Sequence, residues 1–280
     1  MSDTMKELSL KEIQALSLEI LIDVAEFCEK NGIHYSLAYG TCLGAVRHKG
    51  FIPWDDDVDV QMLREDYERF ARTYRSERFK FFDSSNMEDC WIPFGRVCDC
   101  ERTVSKTNIP WHGGTVQTGL WIDIFPVDKV TADHDAYEHL FKSLVMDYEV
   151  LNRTRKAYAR PCDCATRKGR VKVWKLNHLH RRPKFRPEVL VGGRNEVMRL
   201  TNMQKESPYY SVLCCTPQYE ECKHESLFGI VRLEFEGRQF ECWSGYDEML
   251  RQNYGDYMQL PPVSHRIPPQ HSYIRFYWKG

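Results

Sequence analysis

The chain has 280 residues, 42% of them apolar, and its 39 basic side chains nearly cancel 40 acidic ones. This is the composition of an ordinary globular domain with an appendage, and the balanced charge excludes a chain that works as a broadly basic nucleic-acid binder. No window approaches the ~20 apolar residues of a membrane helix, and the start, MSDTMKELSLKE, lacks the apolar centre of a secretory signal.

A cytoplasmic location is therefore expected. Eleven cysteines, an odd number without framework spacing, read as buried thiols in a reducing compartment.

In chain order, Ile13, Leu16, Ile20, Val24 and Phe27 recur on one helical face, Ser9 with Glu12 forms a capping-box pattern, and Asn31-Gly32 closes that helix. His34 to Ala38 predicts a short strand, Gly40-Thr41 a tight turn, and Leu43 to His48 one or two helical turns. Asp57 to Met62 alternates polar with apolar residues and predicts a half-buried strand, followed by a helix from Glu65 to about Glu77.

Short strands are expected at Phe79–Asp83, Gly95–Cys98 and Thr103–Lys106, a firmer one at Leu120–Val127, and a helix over Asp133–Asn152. Further on, Asn195–Glu206 reads as helix, Ile230–Phe235 and Arg238–Cys242 as a hairpin around Glu236-Gly237, Tyr246–Tyr254 as a last helix, and the Pro-, His- and Tyr-rich tail as irregular.

Strand geometry sends residues two apart to one side, so Asp57 and Asp59 are expected to present paired carboxylates while Val58 and Val60 face the core. Asp55 shares their phase and Asp56 falls on the opposite face. Two adjacent anions repel unless a hard divalent cation lies between them, and Mg²⁺ suits such a site, with Mn²⁺ as the alternative. Asp123, flanked by Ile122 and Ile124, is the carboxylate a neighbouring strand would bring to the pair.

A triad of this kind binds metal against phosphates, and its third member is placed to take a proton from an acceptor hydroxyl. Gly40 and Thr41, ahead of a helix, would meet phosphate oxygens through backbone N–H groups and a hydroxyl, with Gly44 allowing close approach. Arg47, His48 and Lys49 add cations for a donor pyrophosphate.

Gly40, Thr41, Asp57, Asp59 and Asp123 resemble the nucleotidyltransferase-fold pattern. More narrowly, YGTCLGAVRHKGFIPWDDDVDV, WIDIFPVD and YDEMLRQNYGDYMQLPP resemble, in order, segments of the LicD family of phosphotransferases. The resemblance covers the front half and resumes at Phe235–Pro262.

It implies an α+β fold with a nucleotidyltransferase-like mixed β-sheet flanked by helices and an embellished C-terminal half. The expected organisation is a catalytic core at 1–152, a basic insertion or subdomain at 153–226 that the resemblance does not cover and that is a candidate acceptor-binding region, and a segment at 227–280 that completes the LicD-like domain. Asp57 and Asp59 become metal ligands, Asp55 a further candidate, and Asp123 the third carboxylate.

The implied reaction moves phosphocholine from CDP-choline to a hydroxyl of lipopolysaccharide, teichoic acid or a lipid-linked glycan precursor, releasing CMP. CDP-ribitol or CDP-glycerol is the alternative donor, and a non-catalytic nucleotide- or glycan-binding protein the alternative of another class.

The zinc site that some related transferases carry upstream of the acidic motif is not expected, since only Cys28 and Cys42 precede it. Cys214, Cys215, Cys222 and His224, like Cys98, Cys100, Cys162 and Cys164, lack zinc-site spacing. The basic stretch 153–186 suits an anionic glycan or the inner membrane surface better than nucleic acid. Trp111, Trp121, Trp243, Tyr246 and Tyr273 are candidates for a quaternary-ammonium cage, and His265 and His271 for closing over the donor.

Overall fold

The computed structural model describes residues 5–87, 90, 92–107, 118–133, 135–140, 142–144, 187–203, 207–214, 223–266 and 274–280, with six positions between 167 and 178. Helix α1 (Leu10–Asn31) begins at the expected capping box. The Ser9 backbone N–H donates to Glu12 Oε2 at 2.8 Å, the Glu12 N–H donates back to Ser9 Oγ, and Gly32 ends the helix at φ 61°. Ser9→Ala is expected to cost about 1 kcal/mol, read as a lowered denaturation midpoint at unchanged slope.

The buried face of α1, including Ile20, Leu21 and Val24, covers one side of a seven-stranded sheet. Strand β1 (Ser36–Leu37) leads into α2 (Tyr39–His48), and β2 (Asp59–Leu63) into α3 (Arg64–Thr73). The sheet continues with β3 (Lys80–Phe82), β4 (Gly95–Asp99) and β6 (Leu120–Val130), while β5 (Thr103–Thr107) lies outside it.

The order is β1-β2-β6-β4-β3, with β2 and β6 parallel and the other neighbours antiparallel, giving the expected mixed sheet. β6 is central and buried on both faces, which is why its sequence is an apolar run rather than an alternation. At its end Asp128 takes a bidentate pair from the buried Arg64, at 2.7 and 2.9 Å, tying α3 to β6.

Helix α4 (Pro187–Thr201), β7 (Tyr209–Ser211) and β8 (Lys223–His224) gather at the far end of β6. The expected start of α4 at Asn195 is too late. Gly192-Gly193 argues locally against helix, but Pro187 suits a first helical position and Met198 packs against Phe125 and Leu213. Helical positions at 135–140 and 142–144 agree with the helix expected from Asp133; its remainder to Asn152 lies outside the described residues.

The hairpin β9 (Ile230–Phe235) and β10 (Arg238–Trp243) turns at Glu236-Gly237, both at positive φ. With α5 (Tyr246–Tyr254) it joins the main core, where Phe235, Phe240 and Leu250 pack with Ile20 and Val60.

The tail is not irregular throughout. β11 (Ile274–Trp278) pairs antiparallel with β5, and its Phe276 carbonyl accepts from the Leu8 N–H. Proline-rich flanks hide this strand, and its partner is remote in sequence.

Candidate active site

Helix α2 and strand β2 build the site together. The carboxylates of Asp59 and Asp123 sit on register-paired residues of parallel neighbours, so both leave one face of the sheet side by side. Val58, Val60 and Met62 are buried on the other face, as the alternation requires.

The strand starts at Asp59, two residues later than expected. The Val58 carbonyl still accepts from the Asp123 N–H at 3.0 Å, and before that rung Asp55 to Val58 form an irregular approach to the strand. Period-two alternation therefore does not govern Asp55–Asp57. Asp56 is accordingly not turned away: one carboxylate oxygen from each of Asp55, Asp56 and Asp57 lies within 4.8 Å of the others.

Gly40 and Thr41 lie inside the first turn of α2 rather than in a turn before it. A Cβ on Gly40 would stand 2.7 Å from Asp55 Oδ2, so the helix backbone reaches this carboxylate only because residue 40 has no side chain. Thr41 Oγ1 accepts from the Asp59 N–H at 2.9 Å and locks the helix start to the strand start. Ala38, the N-cap, supplies no side-chain acceptor, so the positive end of α2 opens toward the acidic cluster.

Tyr39, just before Gly40, adopts φ 44°, an uncommon conformation held by its edge-on packing against Phe125 at 5.6 Å.

The electrostatics are those of a site with excess negative charge. Burial, then Asp57, pushes the Asp55 carboxyl up to about 8, and the two share a hydrogen bond. Asp59 is raised well above the ordinary carboxylate range by burial and by Asp57, Asp123 and Asp55, with Arg96 opposing. Arg96 Nε donates to Asp123 Oδ1 at 2.7 Å, and its guanidinium lies 4.2 Å over the Trp121 ring.

Among the described residues, Asp55, Asp56 and Asp57 are the single group of three or more potential ligands close enough for one ion, and Asp59 and Asp123 stand outside that group on β2 and β6. Raised carboxylate pKa values beside one arginine are what a hard divalent cation would relieve, so the donor set fits Mg²⁺ or Mn²⁺.

A LicD/FKTN/FKRP nucleotidyltransferase domain model matches residues 32–166, which include every carboxylate of the site. The chain is 31% identical over 290 aligned positions to the lipopolysaccharide cholinephosphotransferase LicD of Haemophilus influenzae, covering 96% of this chain and 100% of that protein. The chain belongs to the LicD family.

Uncharacterized proteins of Rickettsia typhi and Rickettsia prowazekii match shorter stretches, at 45% over 68 residues and 43% over 65, covering 24% and 23% of this chain and 22% and 24% of theirs.

Within this LicD-family domain, the other sequence-derived candidates separate. Gly44 is spent on packing, since a Cβ there would stand 2.5 Å from the Gly50 carbonyl. Arg47, His48 and Lys49 occupy the opposite end of α2, roughly 10 Å from Gly40 by helical rise. Arg47 donates to the Tyr257 carbonyl at 2.6 Å and to His48 Nε2 at 3.0 Å. Burial and Arg47 depress the His48 pKa.

Trp121 serves Arg96, whereas Trp243 and Tyr246 line a common cleft. Trp111, His271 and Tyr273 lie outside the described residues, as do Cys162, Cys164, Cys215 and Cys222, while His265 closes a single 3₁₀ turn.

Two residues escaped sequence reasoning. Arg96 is an isolated arginine in a strand, and only the β4–β6 register sets it against Asp123. Tyr254 is an exposed residue of α5, the helix that packs on α2, and its phenol pKa is raised, with Asp59, Asp55 and Asp57 among the causes. The sole hint to Tyr254 was its place in a family-like segment.

Proposed function

We propose that this LicD-family protein transfers phosphocholine from CDP-choline to a hydroxyl of a cell-surface glycan or its lipid-linked precursor, with CMP as the leaving group. The protein is an enzyme of the transferase class. One observation carries the mechanism: Asp59 and Asp123 stand side by side on parallel strands, with Asp59 tied to Thr41 and Asp55 set against Gly40 in the first turn of α2. The full-length similarity to a lipopolysaccharide cholinephosphotransferase supports the choice of phosphocholine.

In this reading Asp57 and Asp59 hold Mg²⁺ or Mn²⁺, with Asp55 and Asp123 beside them. A bound divalent ion would neutralise the donor phosphates and polarise the phosphorus under attack. Gly40 and Thr41 present the first-turn backbone of α2 to a phosphate oxygen. Asp123, oriented by Arg96, takes the acceptor proton as the acceptor oxygen bonds to the choline-side phosphorus. The pyrophosphate P–O bond to CMP then breaks.

No helix among the described residues is long and apolar enough to cross a membrane. We place the enzyme in the cytoplasm, at the inner membrane face when its acceptor is lipid-linked. Arg167, Lys168 and Lys175, all exposed, belong to the basic stretch that would meet an anionic acceptor.

CDP-choline labelled in the choline methyl groups, incubated with Mg²⁺ and a cell-envelope extract, should label the glycan and release CMP. Parallel reactions with CDP-ribitol and CDP-glycerol test the alternative donors. Label from the cytidine side in the glycan would instead mean nucleotidyl transfer. Nucleotide binding without CMP release from any donor would mean a binding protein.

A further inference from the structure

The carboxylate face of the sheet continues into an aromatic cleft. On β2, Gln61 follows Asp59 on the same face, and opposite them on β6 Phe125 follows Asp123. That step is roughly 7 Å along the strands. Tyr39, packed on Phe125, and Gln61 both line a cleft whose other rings are Tyr210, Phe228, Trp243 and Tyr246. Phe228 lies 5.2 Å from Trp243 and 5.1 Å from Tyr210, centroid to centroid.

Several polar side chains of this lining are committed to the protein itself. Gln61 Oε1 accepts from Trp243 Nε1 at 3.2 Å. Ser36 Oγ accepts from the Trp243 N–H at 2.9 Å and donates to the Leu37 carbonyl at 2.7 Å. Ser211 Oγ accepts from the Tyr137 hydroxyl at 3.3 Å, and the Cys42 and Cys242 sulfurs face each other at 3.3 Å. Asn253, Lys223, the Gln61 amide N–H₂ and the hydroxyls of Tyr39, Tyr210 and Tyr246 are the remaining polar groups of the lining.

The observation that favours a particular guest is the set of five rings, Tyr39, Tyr210, Phe228, Trp243 and Tyr246, around one cleft. A trimethylammonium group has no N–H donor. Its charge is spread over methyl groups that aromatic faces attract, and the acidic cluster one strand-step away favours a cation.

Resting on the function proposed above, we infer that this cleft is the pocket for the donor's quaternary ammonium. It is thereby the element that selects choline over other phospho-alcohols. With phosphates at the start of α2, the two-carbon choline arm points past Tyr39 into the rings. Lys223, the lining's single charged group, opposes any second cation and weakens the binding of choline and ethanolamine heads alike.

The test compares kcat/KM for CDP-choline with that for CDP-ethanolamine, whose ammonium carries three N–H donors in place of methyl groups. The native protein should prefer CDP-choline by about tenfold or more. Tyr246→Leu and Phe228→Leu, which keep bulk and lose the ring, should each lower CDP-choline use by about tenfold and CDP-ethanolamine use by less, so that the preference shrinks. Tyr246→Phe should retain the preference.

Both residues are half-buried rather than central to the core, and far-UV dichroism with melting curves establishes that each variant is folded. If CDP-choline is turned over but folded leucine variants keep the full preference, or lose both donors equally, the pocket assignment is overturned and the proposed reaction survives. If the native protein turns over no CDP-choline, both fall.

Discussion

Asp59→Asn is expected to reduce CMP release by about 10³-fold or more, because a metal-bound phosphoryl site supplies several kcal/mol to the transition state. The same substitution should raise the melting temperature of the metal-free protein. Asp59 is held well above the ordinary carboxylate range by burial and by Asp57, Asp123 and Asp55, so the neutral amide removes an opposed charge rather than a favourable one.

Loss of activity with a gain of stability separates a site built for a cation from a structural acidic turn. CMP release under saturating donor and melting in chelator are the two measurements. Full activity in Asp59→Asn would sink the mechanism.

The second large effect links pH to metal. Burial and Asp57 raise the Asp55 carboxyl from 3.8 to about 8 in the folded protein, while the unfolded chain keeps the ordinary value. Between those values the folded state holds a proton that the unfolded state has lost. This contribution is fully present below about pH 4 and disappears as pH rises through about 8, a change on the order of a few kcal/mol.

In chelator, melting should therefore fall by several degrees between about pH 5.5 and 8, and Asp55→Asn should flatten that slope. Mg²⁺ should stabilise the protein more at the upper end, where no proton competes for the carboxylates. A Mg²⁺ effect independent of pH, or an unchanged slope in Asp55→Asn, would contradict the assignment of Asp55 to the cluster.

Much of this architecture was open to sequence reasoning wherever the governing forces are local. The capping box at Ser9 and Glu12, the turn at Glu236-Gly237 and helix α5 each follow from neighbouring residues, and the structure has all three. The alternation Val58, Val60, Met62 correctly named the buried side of β2, because its period is a property of the pleat.

The first residue of that strand was misplaced, because alternation continues in the sequence beyond the last backbone rung, at Val58 and Asp123. Asp56 was assigned to the wrong side for the same reason. β11 went unseen because pairing with β5 depends on chain closure across most of the protein, which no local pattern encodes.

By itself, the sequence determined that this protein carries paired acidic residues after a glycine-threonine helix start and an isolated carboxylate in an apolar run, and that its segments are those of the LicD family. Tertiary structure decided which groups act on one another. The parallel β2–β6 register put Asp59 against Asp123, the β4–β6 register added Arg96, and helical rise set Arg47 and His48 at the other end of α2 from Gly40. Those outcomes depend on how remote strands align and which way a helix runs, and both follow from burying the common core rather than from any short stretch of chain.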